Sequence, residues 1–483
     1  MRTNKISEKT VTIYQKSLDN LIVITQASSS PGAGWSVVSN LQTAVNNARN
    51  GAKPLQLLPG VYLTSQILVD AASGGGNRFE MFAEQGTVTV RLSAAAPYLL
   101  DVSNVPDVVI RGINFDGNNQ AITASGIAGL LRFEGSSTTD FILSECSITN
   151  SPVAGVLAAS NARGRIADNR IANCDTGIFS IDCAVYIEDN SLSTLNNNGI
   201  CVWTSSLGGN GSLVSGNTIN WVDNAAGGTG QYGNGILVYR AGNVKVSGNN
   251  IFNTKFSAIR LNAATNCHVV NNYCWNLREV AIFIEAPGAG ENLSGCIISG
   301  NNVDTAGLGI TVANSGLYGD GLADRCVVSN NNVNNITNNA IPYPDGSTSM
   351  TTGRGITVET NTIVTNNVIS ATAGAAIGLG VNDAAKDIMA TGNLINNCPM
   401  GIAYSANGSA SSILVSSNIV RGYRNITNVS DPNYPISGAI VSYSFNGTLF
   451  QRDTNGGSPN TDYGNATQTS SGALTVGMNR ANP

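Results

Sequence analysis

The dipeptide Tyr239–Arg240, in "GILVYRAGN", sets a proton-transfer group beside a fixed cation. Further on, "FSAIRLN" carries Arg260 and Asn262, "VAIFIE" carries Phe283 and Glu285, and "RGITVE" ends on Glu359. Only 11% of this chain is charged, against about 25% in ordinary soluble domains, so such a concentration asks for a reason. One chemistry is elimination on a uronate-containing sugar. Arg240 or Arg260 would neutralise the carboxylate, which acidifies the neighbouring C–H, and Tyr239 or a basic neighbour would move the proton. The other is hydrolysis, with Glu285 and Glu359 as acid and base.

The elements that must position these residues are repeats. "VSGNTI", "VSGNNI", "ISGNNV" and "VSNNNV" are nearly one motif, and the asparagine recurs as Asn169, Asn190, Asn217, Asn249, Asn272, Asn301, Asn331, Asn366, Asn393 and Asn418. The intervals run from 21 to 35 residues. A floor with variable excess describes a fixed unit whose loops differ in length, unlike helical repeats, which hold their period. Between the asparagines recurs a short alternating strand entered through a small residue, as in "NGICVW", "NGILVY" and "LGITVA". The chain therefore predicts an all-β, single-stranded parallel β-helix, with coils about 4.8 Å apart. Asparagine tolerates left-handed backbone and can bond its like one coil away, so the column closes a turn on each coil. Cys267, Cys296 and Cys326, each five residues before a column asparagine, read as a buried stack of small apolar side chains.

With Ile and Val of the second motif inward, the residues between them point outward. Two outward columns result, and mid-chain they bring together Trp203, Tyr239, Asn262, Glu285 and Glu359, with Arg260 and Phe283 alongside. Rings suit sugar faces, while Arg, Asn and Glu suit hydroxyls or a carboxylate. Glu285 and Glu359, two coils apart, would stand about 9.6 Å from backbone to backbone. That is near the upper limit of the about 6.5–9.5 Å used for inversion. Inserts at 220–233, 285–292, 314–325 and 338–353 leave the coil around this zone and add Tyr232, Tyr318, Tyr343, Asp320 and Asp345. His268, the single histidine, is expected in a structural or surface role.

Residues 39–54 predict a capping helix, with Leu41, Ala44, Val45 and Ala48 on one face, after an N-terminal extension over 1–38. The solenoid is expected over 55–430, and 431–483 as a C-terminal cap or tail. A net charge of −5 and the lack of a basic patch argue against nucleic acid, and no run approaches a membrane span. The first 26 residues lack the apolar core of a signal peptide. Nine cysteines without CxxC or Cys/His spacing give no metal site, and no cofactor is expected.

"GGTGQYGNGILVYRAGNVKVSGNNI", "FSAIRLNAATN", "GITVETNTIVTNNVI" and "AAIGLGV" resemble the uncharacterised twin-arginine-translocated β-helix repeat proteins over about residues 100–425. More broadly the chain is similar to the pectate-lyase-like, right-handed β-helix superfamily. That resemblance implies a right-handed coil and an extracellular, periplasmic or virion-surface protein acting on polysaccharide as lyase or glycoside hydrolase. The alternatives are a non-catalytic glycan- or receptor-recognition protein of phage-tail type, for which a homotrimer is the expected assembly, or a structural surface protein.

Overall fold

The computed structural model describes residues 12–72, 78–228, 230–288, 290–313, 323–380, 386–405, 411–423, 438–443, 451–452, 474–476 and 480–482. The chain is a right-handed parallel β-helix, nearly all strand, and it divides into two compact units, residues 1–192 and 193–483.

The first unit opens antiparallel. Thr12–Ser17 pairs with Ile22–Ala27 on one side and Ser36–Val38 on the other. The helix Leu41–Asn50 follows, started by Asn40, whose side chain accepts from the Thr43 N–H at 2.9 Å. Its face of Leu41, Ala44, Val45 and Ala48 is fully buried, as the sequence spacing requires. Parallel stacking begins where Ile22–Ala27 lies beside Leu55–Leu57, then Phe79–Ala83 and Val108–Arg111. The strands alternate buried and half-exposed residues, and Tyr62, Phe79, Phe115, Phe133 and Phe141 fill the interior.

In the second unit each coil contributes three strands. One row runs Leu213–Ser215, Lys245–Ser247, His268–Val270, Ile297–Ser299 and Cys326–Ser329. A second runs Thr218–Val222, Asn250–Thr254, Tyr273–Trp275, Asn302–Ala306 and Asn332–Ile336. The third holds the "NGI"-type motif: Asn234–Gly242, Ile259–Asn262, Val280–Glu285, Leu308–Ala313 and Ile356–Val358. The motif begins with a small residue because the next coil crowds it; a Cβ on Gly309 would collide with the Gly355 carbonyl oxygen.

The asparagine column is a hydrogen-bonded ladder between the first two rows. Nδ2 of Asn217 donates to Oδ1 of Asn249, and so on through Asn272, Asn301, Asn331, Asn367, Asn393 and Asn418, at 2.9–3.0 Å throughout. In the first unit Asn169 donates likewise to Asn190 at 3.0 Å. Two expectations are corrected here. The member after Asn331 is Asn367, not Asn366. In "NNVI" both Val368 and Ile369 fit the pattern, but Ile369 pairs with Val333 and turns inward, leaving Val368 exposed. Nor does the column asparagine itself take the left-handed backbone. The residue before it does: Gly216 (φ 67°), Gly248 (66°), Asn271 (57°), Gly300 (68°), Asn330 (56°) and Asn366 (56°). One residue turns the chain, and the next bonds the coils together.

Cys267, Cys296 and Cys326 are buried, as is every other cysteine, and all nine are free thiols. No helix among the described residues is long and apolar enough to cross a membrane. The expected C-terminal region, 431–483, lies largely outside the described residues.

Candidate functional site

The register aligns the proposed columns. Trp203 lies beside Tyr239, Tyr239 beside Asn262, Asn262 beside Glu285, and Arg260 beside Phe283. The columns are not an open face, however. Arg260, Phe283, Glu285 and Glu359 are all buried, and over Arg260 the first insert folds back. Gly230, in the first insert, stands so close that a Cβ there would lie 3.8 Å from the Arg260 guanidinium. Strand alternation fixed which way these side chains point but said nothing about what covers them.

Beneath the cover, Arg260 Nε donates to Glu285 Oε1 at 2.8 Å, and both side chains are only 3% exposed. Asn262 Nδ2 donates to the same oxygen at 2.5 Å. The Arg260 guanidinium also lies 4.5 Å from the centre of the Phe283 ring. Phe283 packs with Val280 and Ala313. Glu285 is thus committed to holding Arg260 and Asn262. Glu359 is 0% exposed. The pair expected as acid and base of a hydrolase does not face a common opening.

The opening is a pocket of 410 Å³ whose walls include Trp203, Tyr232, Tyr239, Asn262, Pro287 and Glu291. Trp203 and Tyr239 meet edge to face, centroids 4.8 Å apart at 88°. The Tyr239 hydroxyl donates to Glu291 Oε1 at 3.3 Å, and Arg240 Nε donates to the same oxygen at 2.8 Å. The Arg240 guanidinium stands 4.8 Å over the Tyr239 ring. Arg240 reaches this position from left-handed backbone (φ 56°), an uncommon conformation for a long side chain. Burial first, and then Glu291, raise the Tyr239 hydroxyl above its ordinary pKa, so it stays protonated at neutral pH. The hydrogen bond to Glu291 raises Arg240 in turn.

The first insert is pinned rather than draped. Asn198 Nδ2 donates to the Gln231 carbonyl at 2.8 Å, Asn234 Nδ2 to that of Tyr232 at 3.1 Å, and the Ala226 N–H to Asn197 Oδ1 at 2.7 Å. In the pocket floor Asn262 is 8% exposed, and its Oδ1 is buried with no hydrogen-bond partner among the described residues. A buried orphan acceptor costs about 1–3 kcal/mol, which a donor on a bound molecule would offset.

Of the residues read from sequence, Trp203, Tyr232, Tyr239 and Asn262 share this pocket, with Arg240 at its rim. Arg260, Glu285 and Phe283 form its underlay, and Glu359 is buried and does not bound it. Tyr343 packs on Phe256 (5.7 Å between centroids) from the hairpin Ala340–Pro342/Thr348–Met350. Asp345 closes that hairpin's tip by accepting from the Ser347 N–H at 2.9 Å. Tyr318 and Asp320 lie outside the described residues. His268 is exposed on its strand, between Lys245 and Ile297 in register. Glu291 was missed. It stands in the insert "EAPGAGEN", outside the strand columns from which the other site residues are read.

The family model described as a right-handed β-helix region matches residues 155–319. No curated protein matches by sequence. Among solved structures, the mannuronan C-5 epimerase A-module of Azotobacter vinelandii is similar at 14% identity, covering 75% of this chain and 90% of that one, with a TM-score of 0.40. The Dettilon tailspike protein is similar at 14% identity, over 83% and 64%, TM-score 0.39. A periplasmic alginate epimerase is similar at 11%, over 95% and 85%, TM-score 0.36. These likenesses are of fold.

Proposed function

We propose that the chain engages an extracellular polysaccharide and seats one of its sugar rings in the pocket bounded by Trp203, Tyr232 and Tyr239. The observation that carries this reading is the combination of a paired aromatic wall, the Arg240–Glu291 ion pair at the rim and the unpartnered Asn262 oxygen in the floor. A ring's C–H face meets the aromatics, and its hydroxyls meet charge and amide. Recognition is favoured over hydrolysis because Glu285 is committed to Arg260, and Glu359 is fully buried.

A second reading, a polysaccharide lyase, is favoured by one contact: Tyr239 shares a hydrogen bond with Glu291 beside Arg240. There Glu291 would take the proton from carbon and Tyr239 would give one to the leaving oxygen, with Arg240 moving onto the uronate. We place the chain with the twin-arginine-translocated β-helix repeat proteins on the motifs quoted above, acting outside the cytoplasm or on a virion, where a homotrimer is its expected assembly.

The test is a screen of the purified chain on uronate-containing and neutral polysaccharides. Binding, new reducing ends and the ultraviolet absorbance of unsaturated uronates are read on the same samples. Binding without reducing ends supports recognition. Reducing ends with absorbance would replace it with the lyase, and reducing ends without absorbance would return the argument to hydrolysis. No binding to any glycan would sink the proposal.

A further inference from the structure

The motif strands of the second unit have a groove at their entry as well as the pocket at their far end. This groove, of 890 Å³, is walled by the turn residues of successive coils, among them Trp221, Asn253 and Asn276. All three are in the left-handed region, with φ of 57°, 58° and 53°. For asparagine that conformation is routine. For tryptophan it is an outlier that costs about 1–3 kcal/mol and persists only where something offsets it.

Packing does not offset it. Trp221 is 63% exposed, the one exposed tryptophan of the four. Two cations line the same groove. Lys255, one coil on, pairs loosely with the exposed Asp223 at 3.6 Å. Arg278, one coil further, is exposed and has no ion pair among the described residues. The wall is rigid: Asn253 Nδ2 donates to Asn220 Oδ1 at 2.7 Å, and Asn276 Nδ2 to Asn253 Oδ1 at 2.5 Å. On the far side Asn339 Nδ2 holds the Leu277 and Arg278 carbonyls at 3.2 and 3.3 Å.

We propose that this groove is a second saccharide site, taking an acidic polysaccharide laid along the coil axis. One ring would stack on Trp221, and the carboxylates that follow would meet Lys255 and Arg278. The three groups step one coil at a time, about 4.8 Å each, a spacing for an extended polymer rather than a compact ligand. The exposed ring supplies the platform, and the unpaired guanidinium supplies a bidentate carboxylate site. The choice of polymer rests on the reading of the chain as a polysaccharide protein. The site does not depend on the pocket.

The experiment titrates the full chain with hexagalacturonate, maltohexaose and single-stranded oligothymidylate, reading tryptophan emission and calorimetric stoichiometry. Hexagalacturonate is expected to shift the emission and to weaken with salt, while the other two are silent at the groove. Trp221→Ala should remove that signal and one equivalent of binding. Arg278→Gln should weaken the groove's binding at least tenfold, while Lys245→Gln, which removes an exposed cation outside the groove, leaves it unchanged. Trp221→Asn should abolish binding yet raise the urea midpoint, since asparagine relieves the turn; a merely structural tryptophan would not give that split.

Unchanged hexagalacturonate binding in Trp221→Ala overturns the proposal, as does a groove that prefers maltohexaose or oligothymidylate, or one silent to all three. If groove binding persists while the pocket binds no glycan, the pocket reading fails and the groove stands.

Discussion

Removing one rung of the asparagine ladder tests the account of what holds the coils together. Asn301 accepts through Oδ1 from the backbone N–H and the Nδ2 of Asn272, both at 3.0 Å. Its own Nδ2 donates to the Val269 carbonyl at 2.9 Å and to Asn331 Oδ1 at 3.0 Å. Asn301→Ala deletes four buried bonds, each contributing a net of about 0.5–1.5 kcal/mol, and strands the buried Asn272 N–H at a further cost of about 1–3 kcal/mol. Since some of these groups can relax toward each other, a loss of about 4 kcal/mol is expected. Asn302, the next residue, is exposed, and among the described residues its side chain makes one hydrogen bond, accepting from Asn332 Nδ2 across the outer surface at 3.2 Å. Asn302→Ala should cost under about 0.5 kcal/mol. Urea unfolding followed by circular dichroism, with unchanged slopes, makes the comparison. Asn301→Asp should be worse than alanine, because it buries a carboxylate against two oxygens that need donors. If Asn301→Ala lost less than about 1 kcal/mol, or no more than Asn302→Ala, the ladder would be an ornament of the coil and not its fastening.

Glu291→Gln should weaken glycan binding at least about tenfold, near 1.4 kcal/mol, and leave the urea midpoint in place, because its ion pair with Arg240 is partly exposed; calorimetry beside denaturation separates the two. Tyr239 has a raised pKa, so the stability it contributes is fully present below the tyrosine's unfolded value and is lost as pH rises through the folded one. Tyr239→Phe should therefore flatten alkaline unfolding in that window and delete one late step from the tyrosinate absorbance titration. Burial pushes the thiols of Cys146, Cys174, Cys183, Cys274 and Cys326 up to about 12. Ellman's reagent at mildly alkaline pH should label none of the nine cysteines in the folded chain and all of them in denaturant.

The scaffold was legible because its signals are local and repeated. An asparagine with β-branched residues two places on, and small residues entering each motif strand, recur often enough to set the register without tertiary information. The slip at Asn366 came where two apolar residues stood side by side and only stacking against Val333 could choose between them. The site was legible by column, so Trp203, Tyr239 and Asn262 could be grouped. Its cover and its closing residue were not legible. Whether an insert folds back over a strand or stands away depends on pins such as Asn198 to Gln231, which pair positions 33 residues apart. For the same reason Arg260 and Glu285, each an apt surface group by alternation, turn out to satisfy each other under the loop.

The asparagine ladder also has a direction. From Asn249 to Asn331, each side-chain amide gives a proton to the asparagine of the next coil and its oxygen takes one from the asparagine before, while the amide also donates back to a valine or isoleucine carbonyl of the preceding coil. In the asparagine column itself the two edges of a block of coils are therefore unlike, one offering an amide donor and the other an amide oxygen. A block fits onto its neighbour in one orientation only, and the joint is the same wherever it is cut. Gaining or losing a coil leaves that joint chemically unchanged, whatever loop the coil carries. Successive members stand 21 to 36 residues apart in the chain, and the bond between them stays at 2.9–3.0 Å. The length of such a molecule is thus not written in its repeat. It is set at the ends, by whatever segments decline to offer the next coil a partner.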